Sequence, residues 1–204
     1  MDLTSKLEEF RKMILFYLSR KLNIALIPPE VMQISVTYKC NLRCKMCSIY
    51  NEISKIKKEP AKEEFYRLID EAERYKIKEL VLTGGEPFIR EDIFNVIRYA
   101  KSKMMKVIVT TNTTLIDKEC AEKIVNSGLD HLHISIDGLE ESNDFFRGKG
   151  VFKKIIKAVT ILKDHKNKKG KGPSLGFACV VTNQSLDDLL SLYRLADELG
   201  IDVI

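Results

Sequence analysis

The sequence predicts an α/β protein built on a parallel sheet, and two observations lead to that prediction. Short β-type runs alternate with helical patterns from residue 32 onward, which is typical of βαβ units. Five of these runs end in small or polar residues: 37–40, 83–86, 110–112, 135–138 and 182–183. Because the carboxyl ends of parallel strands share one edge of a sheet, these residues predict a binding site at that edge.

The first element is predicted to be an amphipathic helix over residues 2–26, which ends before Pro28-Pro29. The predicted domains are therefore an N-terminal helix with its linker at 1–29 and a sheet domain at 30–204. We expect the helix to pack on the sheet domain. Contact with a membrane surface through Phe16 and Tyr17 is the less favoured interpretation.

The sheet domain is predicted to contain six strands and five helices. The strands are Met32–Thr37, Leu80–Thr83, Val107–Thr111, Leu132–Asp137, Leu175–Thr182 and Asp202–Ile204. The helices cover about 61–75, 91–103, 117–127, 151–165 and 185–199. The basic stretch 163–172 is interpreted as a solvated loop. Since the chain stops as its sixth strand begins, we expect a C-terminally truncated domain.

Composition and charge exclude several classes of protein. The chain has 204 residues, of which 45% are hydrophobic and 31% charged, as in ordinary globular proteins. The net charge of +5 is mild, and no basic run is interleaved with aromatic residues, so we expect no nucleic-acid partner. The longest apolar run near the N-terminus, 13–18, is too short to span a membrane, and its acidic, charged flank does not resemble a signal peptide. We therefore expect a cytoplasmic protein.

Three of the five cysteines, Cys40, Cys44 and Cys47, fall within eight residues. The other two, Cys120 and Cys179, are isolated and are interpreted as core residues. Spacing C-x₃-C-x₂-C provides one thiolate fewer than a closed zinc site or an ordinary four-iron cluster uses. A fourth ligand could come from His131, His133 or Cys120, or the fourth position could stay open for a substrate or cofactor.

The segment CNLRCKMC at 40–47 resembles the cluster loop of the radical S-adenosylmethionine (radical SAM) superfamily. Four further motifs match in the family's order. TGGEP at 83–87 resembles the GGEP motif at the end of the family's second strand. Thr111-Asn112 resembles the TN ending of its third strand, although Thr113 stands where glycine is common. SIDG at 135–138 resembles its fourth. The stretch from Asp144 to Phe152 resembles the segment that leads into the next helix in one branch of the family, which includes cofactor cyclases and SPASM-type maturases.

The resemblance implies a partial (β/α)₆ TIM-like barrel that carries a [4Fe–4S] cluster on the three cysteines and binds S-adenosylmethionine at the fourth iron. Gly84-Gly85 would let backbone carbonyls approach the ammonium group, with Pro87 fixing the turn. Ser135 and Asp137 would bind the ribose. The resemblance implies these cofactor contacts in all: Met46, Gly84, Gly85, Glu86, Pro87, Asn112, Ser135, Asp137 and Arg147.

Several of these contacts have alternatives. Glu86 could accept a hydrogen bond from the ammonium group or charge the N-terminus of the following helix. Asn112 could contact the ligand or cap the helix at 117–127. Arg147 could pair with the methionine carboxylate or be a solvated loop residue. Met46 takes a position where an aromatic residue often packs on the adenine. His133, on the face of Ser135, is interpreted as a hydrogen-bonded lumen residue rather than a base.

The predicted function is reductive cleavage of S-adenosylmethionine to a 5′-deoxyadenosyl radical, which abstracts hydrogen from a small-molecule or peptide substrate. An electron donor such as ferredoxin or flavodoxin is the expected partner. One alternative is an activase that installs a glycyl radical on another protein. Another, from a different class, is a three-cysteine zinc or iron–sulfur scaffold that binds without turnover.

Overall fold

The computed structural model describes residues 3–49 and 58–202, which form one parallel sheet with helices. The sheet has five strands in the order in which they occur along the chain. They are β1 (Val31–Thr37), β2 (Glu79–Gly84), β3 (Lys106–Thr111), β4 (His131–Ser135) and β5 (Ser174–Ala178). The parallel α/β prediction is confirmed.

Seven α-helices are described, one before the sheet and the rest between or after its strands. They are α1 (Leu3–Leu22), α2 (Lys62–Arg74), α3 (Ile93–Ser102), α4 (Lys118–Asn126), α5 (Glu140–Arg147), α6 (Val151–Lys169) and α7 (Leu189–Glu198). A 3₁₀ turn at Pro87–Ile89 precedes α3. The helices therefore act as the crossovers that parallel neighbours require.

One face of the sheet forms the core with the helices. Alternate strand residues such as Leu82, Val109 and Ile134 are fully buried there, against helix residues such as Ile97 and Ile155. The opposite face carries polar residues such as Thr110 on β3 and His133 on β4. These two residues are in register, and His133 is also in register with Gly176 on β5. The strand alternation thus separates a packed face from a polar one.

Several predicted boundaries are wrong. Helix α1 ends at Leu22 rather than at residue 26, α7 begins at Leu189 rather than at residue 185, and β4 ends at Ser135 rather than at Asp137. The basic stretch 163–172 is not a loop, since α6 continues to Lys169 and ends at Gly170, which has φ 63°. Lysine is a good helix former, and cations in the last turn are favoured by the helix dipole. Strand β5 ends at Ala178 rather than Thr182, because the amide of Val180 is hydrogen-bonded by the Asp137 side chain instead of by a strand.

Helix α1 makes limited contact with the rest of the described chain. Most of its apolar side chains stay exposed, and Leu15 is one of the few positions that are partly covered. Within the described ranges, no helix is both long and apolar enough to cross a bilayer. Of the predicted sixth strand only Asp202 lies inside the described residues, and its amide donates to the carbonyl of Leu175 at the start of β5.

Candidate functional site

A cavity of about 410 Å³ lies at the carboxyl edge of the sheet, where the sequence predicts a site. All three clustered cysteines line it, together with residues from the ends of β2, β3 and β4. The predicted site residues in its wall are Cys40, Cys44, Met46, Cys47, Gly84, Gly85, Asn112, Ser135 and Arg147. The predicted contacts Glu86, Pro87 and Asp137 are outside this wall.

The cysteine loop leaves β1 and curves over the cavity. Cys40 and Cys44 are half-buried, whereas Cys47 is exposed. The Cys40 sulfur accepts hydrogen bonds from the Leu42 amide (3.4 Å) and from the Asn112 side chain (3.7 Å). Burial raises the pKa of the Cys40 and Cys44 thiols, and the nearby Arg147 guanidinium acts in the opposite direction on Cys44. The loop is therefore fixed both to β3 and to the end of α5.

The three thiols are a donor set that can hold an iron–sulfur cluster. Among the described residues, no three cysteine, histidine or acidic side chains converge as ligands of one ion. Thiolates that hold an iron–sulfur cluster bind different irons, so they line a cavity rather than meet at a point. Three thiols around one cavity match that arrangement. His131, His133 and Cys120, considered above as a fourth ligand, are not in its wall.

The two glycines at the end of β2 are required by the backbone of the cysteine loop. A Cβ atom on Gly84, whose φ is 133°, would lie 2.2 Å from the Thr37 carbonyl oxygen. One on Gly85 would lie 2.2 Å from that of Lys39. The Gly85 amide donates to Thr37 (2.7 Å). The glycines thus let β1 and its loop close against β2, a constraint beyond the predicted ligand approach.

Glu86 is fully buried and its carboxylate is engaged within the protein. One oxygen accepts from the Phe88 amide (3.1 Å) and the Thr111 hydroxyl (2.8 Å), and the other from the Asn112 amide (2.7 Å). Burial raises the pKa of Glu86, whereas these three donors act in the opposite direction. Of the two predicted roles, the geometry favours capping of the turn that begins at Pro87, since the ammonium contact would need an oxygen at the cavity.

Asn112 is placed to serve the cavity rather than the next helix. Its side-chain amide reaches Cys40 and donates to Oδ1 of the Asn41 side chain (3.0 Å). Asp117 is the N-cap of α4, accepting from the Cys120 amide at 2.8 Å. The capping alternative for Asn112 is therefore wrong. Burial raises the pKa of Cys120 to about 12, in keeping with a core thiol.

Asp137 does not take the position predicted for a ribose contact. It is fully buried, and one of its oxygens accepts from the Val180 amide at 3.0 Å. The other lies 2.6 Å from Nε of Arg147, as a charge contact without the alignment of a hydrogen bond. Ser135 alone of the predicted ribose pair lines the cavity. Because β4 ends at Ser135, Asp137 leaves the alternation that would have placed both on one face.

Arg147 is positioned by a helix that the sequence pattern alone does not reveal. It is the last residue of α5, its side chain is only 10% exposed, and it lines the cavity. The carbonyl of its neighbour Phe146 accepts from the Lys45 amide (2.8 Å), which ties α5 to the cysteine loop. The buried pair with Asp137 excludes the solvated-loop alternative and places one cation beside the three thiols.

The two histidines of β4 lie further from the cavity. His131 Nδ1 contacts the Ser174 hydroxyl at 2.6 Å, and its ring meets that of His133 edge-on at 4.5 Å. Burial lowers the pKa of both imidazoles, which favours their neutral forms. Neither ring is in the cavity wall.

Several wall residues were not predicted as contacts. Tyr38, Thr83, Thr110 and Val180 line the cavity. The two threonines belong to the polar strand ends noted in the sequence, so that signal could have identified them. Val180 carries no such signal, because its place depends on the early end of β5.

Comparison with known proteins places the chain in a family. The model for the radical SAM superfamily matches residues 34–196. Fe-coproporphyrin III synthase of Methanosarcina barkeri is 32% identical over 165 residues, 80% of this chain and 40% of that protein. Pre-heme d1 synthase of Dinoroseobacter shibae is 29% identical over 176 residues, 86% of this chain and 42% of that protein.

The fold agrees with a solved structure. SuiB of Streptococcus suis, in a crystal structure bound to S-adenosylmethionine, superposes with a TM-score of 0.75 at 24% identity, over 98% of this chain and 45% of that one. This chain therefore spans less than half the length of each of these three proteins. On the extent of the family match, the chain belongs to the radical SAM superfamily of enzymes, which use a [4Fe–4S] cluster and S-adenosylmethionine.

Proposed function

We propose that residues 30–204 form the catalytic barrel of an enzyme that reductively cleaves S-adenosylmethionine and abstracts hydrogen from a substrate. The observation that carries this proposal is the shared cavity. Three thiols from one loop, the glycine turn after β2 and the Arg147 cation face the same space at the carboxyl edge of the sheet.

The cysteines Cys40, Cys44 and Cys47 would hold the [4Fe–4S] cluster. When bound, the cluster would supply the electron for cleavage of the sulfonium of S-adenosylmethionine, which yields methionine and a 5′-deoxyadenosyl radical. The residues of the chain bind and orient the cosubstrate. Arg147 offers a guanidinium to its carboxylate, Ser135 a hydroxyl to its ribose, and Met46 a soft, half-exposed surface to its adenine.

We propose a cofactor precursor, a peptide or a protein as the substrate class. The names of two relatives refer to tetrapyrroles, which supports the first of these. The electron would come from a ferredoxin or flavodoxin in the cytoplasm. The exposed Cys47 supports a partner that approaches the loop from outside, since electron transfer needs a short path to the cluster.

Iron and sulfide analysis tests the cluster assignment. After anaerobic reconstitution, we expect about four irons and four sulfides per chain. Replacing Cys40, Cys44 or Cys47 with Ala should remove most of them, whereas Cys120→Ala and Cys179→Ala are matched controls that should keep them. Full iron retention in the Cys44→Ala variant, or zinc in place of iron in the wild-type chain, would overturn the proposal in favour of a scaffold.

A further inference from the structure

The cysteine loop is closed at its base by contacts between the residues that precede it and those that follow it. Glu59 follows the loop in the chain, and its carboxylate returns to the first residues of the loop. One oxygen accepts from the Thr37 hydroxyl and the Tyr38 amide (3.3 Å), and the other lies 3.6 Å from the Lys39 ammonium group. The Thr37 hydroxyl oxygen also accepts from the Lys39 amide (3.1 Å). We call residues 36–39 and 59–60 the loop base.

Arg90 joins the same two segments through its guanidinium group. Nη1 donates to the carbonyls of Val36 and Pro60, at 3.1 Å each. Nε and Nη2 donate to the two carboxylate oxygens of Asp92, at 2.8 and 2.7 Å. The side chain is only 9% exposed, and its guanidinium carbon lies 4.9 Å from the centroid of the Phe65 ring. One covered cation, held by Asp92, therefore binds the chain on both sides of the cysteine loop.

Arg90 also connects the loop base to the turn after β2. It follows the 3₁₀ turn at Pro87–Ile89, and its amide donates to the Pro87 carbonyl (3.1 Å). At the other end of that turn, the Glu86 amide donates to the Lys39 carbonyl (2.8 Å). Lys39 directly precedes Cys40. The first cysteine and the glycine turn therefore belong to one hydrogen-bonded unit.

The set of acceptors around this cation suits arginine alone. A guanidinium carries five N–H donors in a planar fork, so it can bind a carboxylate with two bonds and still donate to two carbonyls. A lysine ammonium has three donors on one atom and cannot reach all four acceptors. Neither Arg90 nor Glu59 is in the cavity wall. Their effect on the reaction therefore passes through the loop and not through contact with the cosubstrate.

We propose that Arg90 is a positioning residue, which together with Glu59 closes the loop base and fixes Cys40 relative to the turn after β2. The inference rests on the proposed function, because it assigns the two residues a role toward the cluster and the cosubstrate. A loop fixed in advance lowers the entropic cost of ordering three thiols around a cluster. It also keeps the cysteine loop and the β2 turn, which form two sides of the cavity, at a constant separation.

Hydrogen exchange tests whether the loop base is closed, and it needs no cluster. In the 204-residue chain, we expect the amides of Tyr38 and Lys39 to be protected, and to exchange at least about tenfold faster in Arg90→Gln and in Glu59→Ala. Tenfold corresponds to about 1.4 kcal/mol, close to one hydrogen bond to a charged group. Glu59→Gln keeps an acceptor oxygen and should exchange like the wild type. Mass spectrometry of a peptide that contains both amides measures these rates.

Lys101→Gln is the matched control for lost stability. Lys101 is a partly covered cation at the amino edge of the sheet, where it donates to the Met105 carbonyl (3.0 Å) and to the Asp130 carboxylate (2.8 and 2.6 Å). Its replacement should lower the free energy of unfolding, as Arg90→Gln does, yet leave exchange at Tyr38 and Lys39 unchanged.

Two measurements on the reconstituted chain test the positioning role itself. Iron release to a chelator should be at least about tenfold faster in Arg90→Gln and Arg90→Lys than in the wild type or Lys101→Gln. Addition of S-adenosylmethionine should change the EPR spectrum of the reduced cluster, and Arg90→Lys should need at least about tenfold more of it for the same change.

Unprotected amides at Tyr38 and Lys39 in the wild type, or Arg90 and Glu59 variants that exchange like it, would overturn the inference. So would faster exchange with unchanged iron release and EPR response, since the contacts would then be structural only. A wild-type chain that takes up no iron would overturn the proposed function and this role with it. Normal iron uptake in the wild type, with variants that behave alike in all three measurements, would overturn this role alone.

Discussion

Replacing Asp137 with Asn removes the charge that holds Arg147 at the cavity. Asp137 is fully buried, the Arg147 side chain is 10% exposed, and their closest atoms are 2.6 Å apart. Breaking a buried ion pair by removing one partner costs about 3–5 kcal/mol. Asn can still accept from the Val180 amide, and Arg147 can leave its place and become hydrated, so we expect a loss of about 2–3 kcal/mol in the free energy of unfolding.

The same change should weaken cosubstrate binding selectively. With Arg147 no longer held, we expect the affinity for S-adenosylmethionine to fall about tenfold, or about 1.4 kcal/mol. Binding of 5′-methylthioadenosine, which lacks the carboxylate, should be unchanged. Calorimetry on the reconstituted chain measures both, and Asp187→Asn at an exposed position is the control.

The double variant Asp137→Asn/Arg147→Met completes the cycle. Since it removes both charges, it should recover part of the lost stability but none of the lost affinity. Denaturant unfolding and calorimetry report these two quantities separately. Unchanged affinity for S-adenosylmethionine in Asp137→Asn, with stability reduced as expected, would refute the positioning of Arg147 by Asp137 and leave the pair a purely structural role.

Three further predictions concern the loops around the site and the pH dependence of folding. Gly85→Ala should lose most of its iron on reconstitution, because the new Cβ would meet the Lys39 carbonyl in the cysteine loop. Asp144→Ala should cost about 1 kcal/mol in denaturant unfolding, since Asp144 accepts from amides at the start of α6. Burial lowers the pKa of His131 and His133, so the unfolded chain takes up more protons and stability should fall as pH drops from about 7 to 5. Replacing both histidines with Gln should flatten that fall.

Each of these predictions has a control in the chain. Gly170→Ala removes a glycine with no atom within 4 Å of the added Cβ, and it should keep its iron. Glu141→Ala on the exposed side of α5 should leave stability nearly unchanged. For the pH dependence of folding, the wild-type chain measured in parallel is the reference. Iron retention in Gly85→Ala equal to that in Gly170→Ala would contradict the close approach of β2 and the cysteine loop.

The order of strands and helices along the chain and the edge of the sheet that carries the cavity could both be predicted, because both depend on local patterns. Alternating strands and helices, and polar strand ends such as Thr110 to Asn112, place residues on one edge without any long-range information. The cysteine spacing identified the loop in the same way. Short-range sequence patterns are therefore sufficient to predict these features.

What the sequence did not reveal depends on contacts between distant residues. Asp137 and Ser135 are two apart, so alternation predicts one shared face, but Asp137 is drawn inward by Arg147 and the Val180 amide. Glu86 has the position expected for a ligand contact, yet its oxygens are taken by donors from β3. The exposure of α1 likewise depends on which surface it meets, which its amphipathic pattern does not specify.

Product analysis tests the central claim most directly. The reconstituted chain is incubated without oxygen with S-adenosylmethionine and dithionite, and 5′-deoxyadenosine and methionine are quantified by chromatography. Our account predicts both products in equal amounts from the wild-type chain and from Cys120→Ala, and neither from Cys40→Ala, Cys44→Ala or Cys47→Ala. A wild-type chain that carries four irons and binds S-adenosylmethionine, yet releases no 5′-deoxyadenosine, would contradict it.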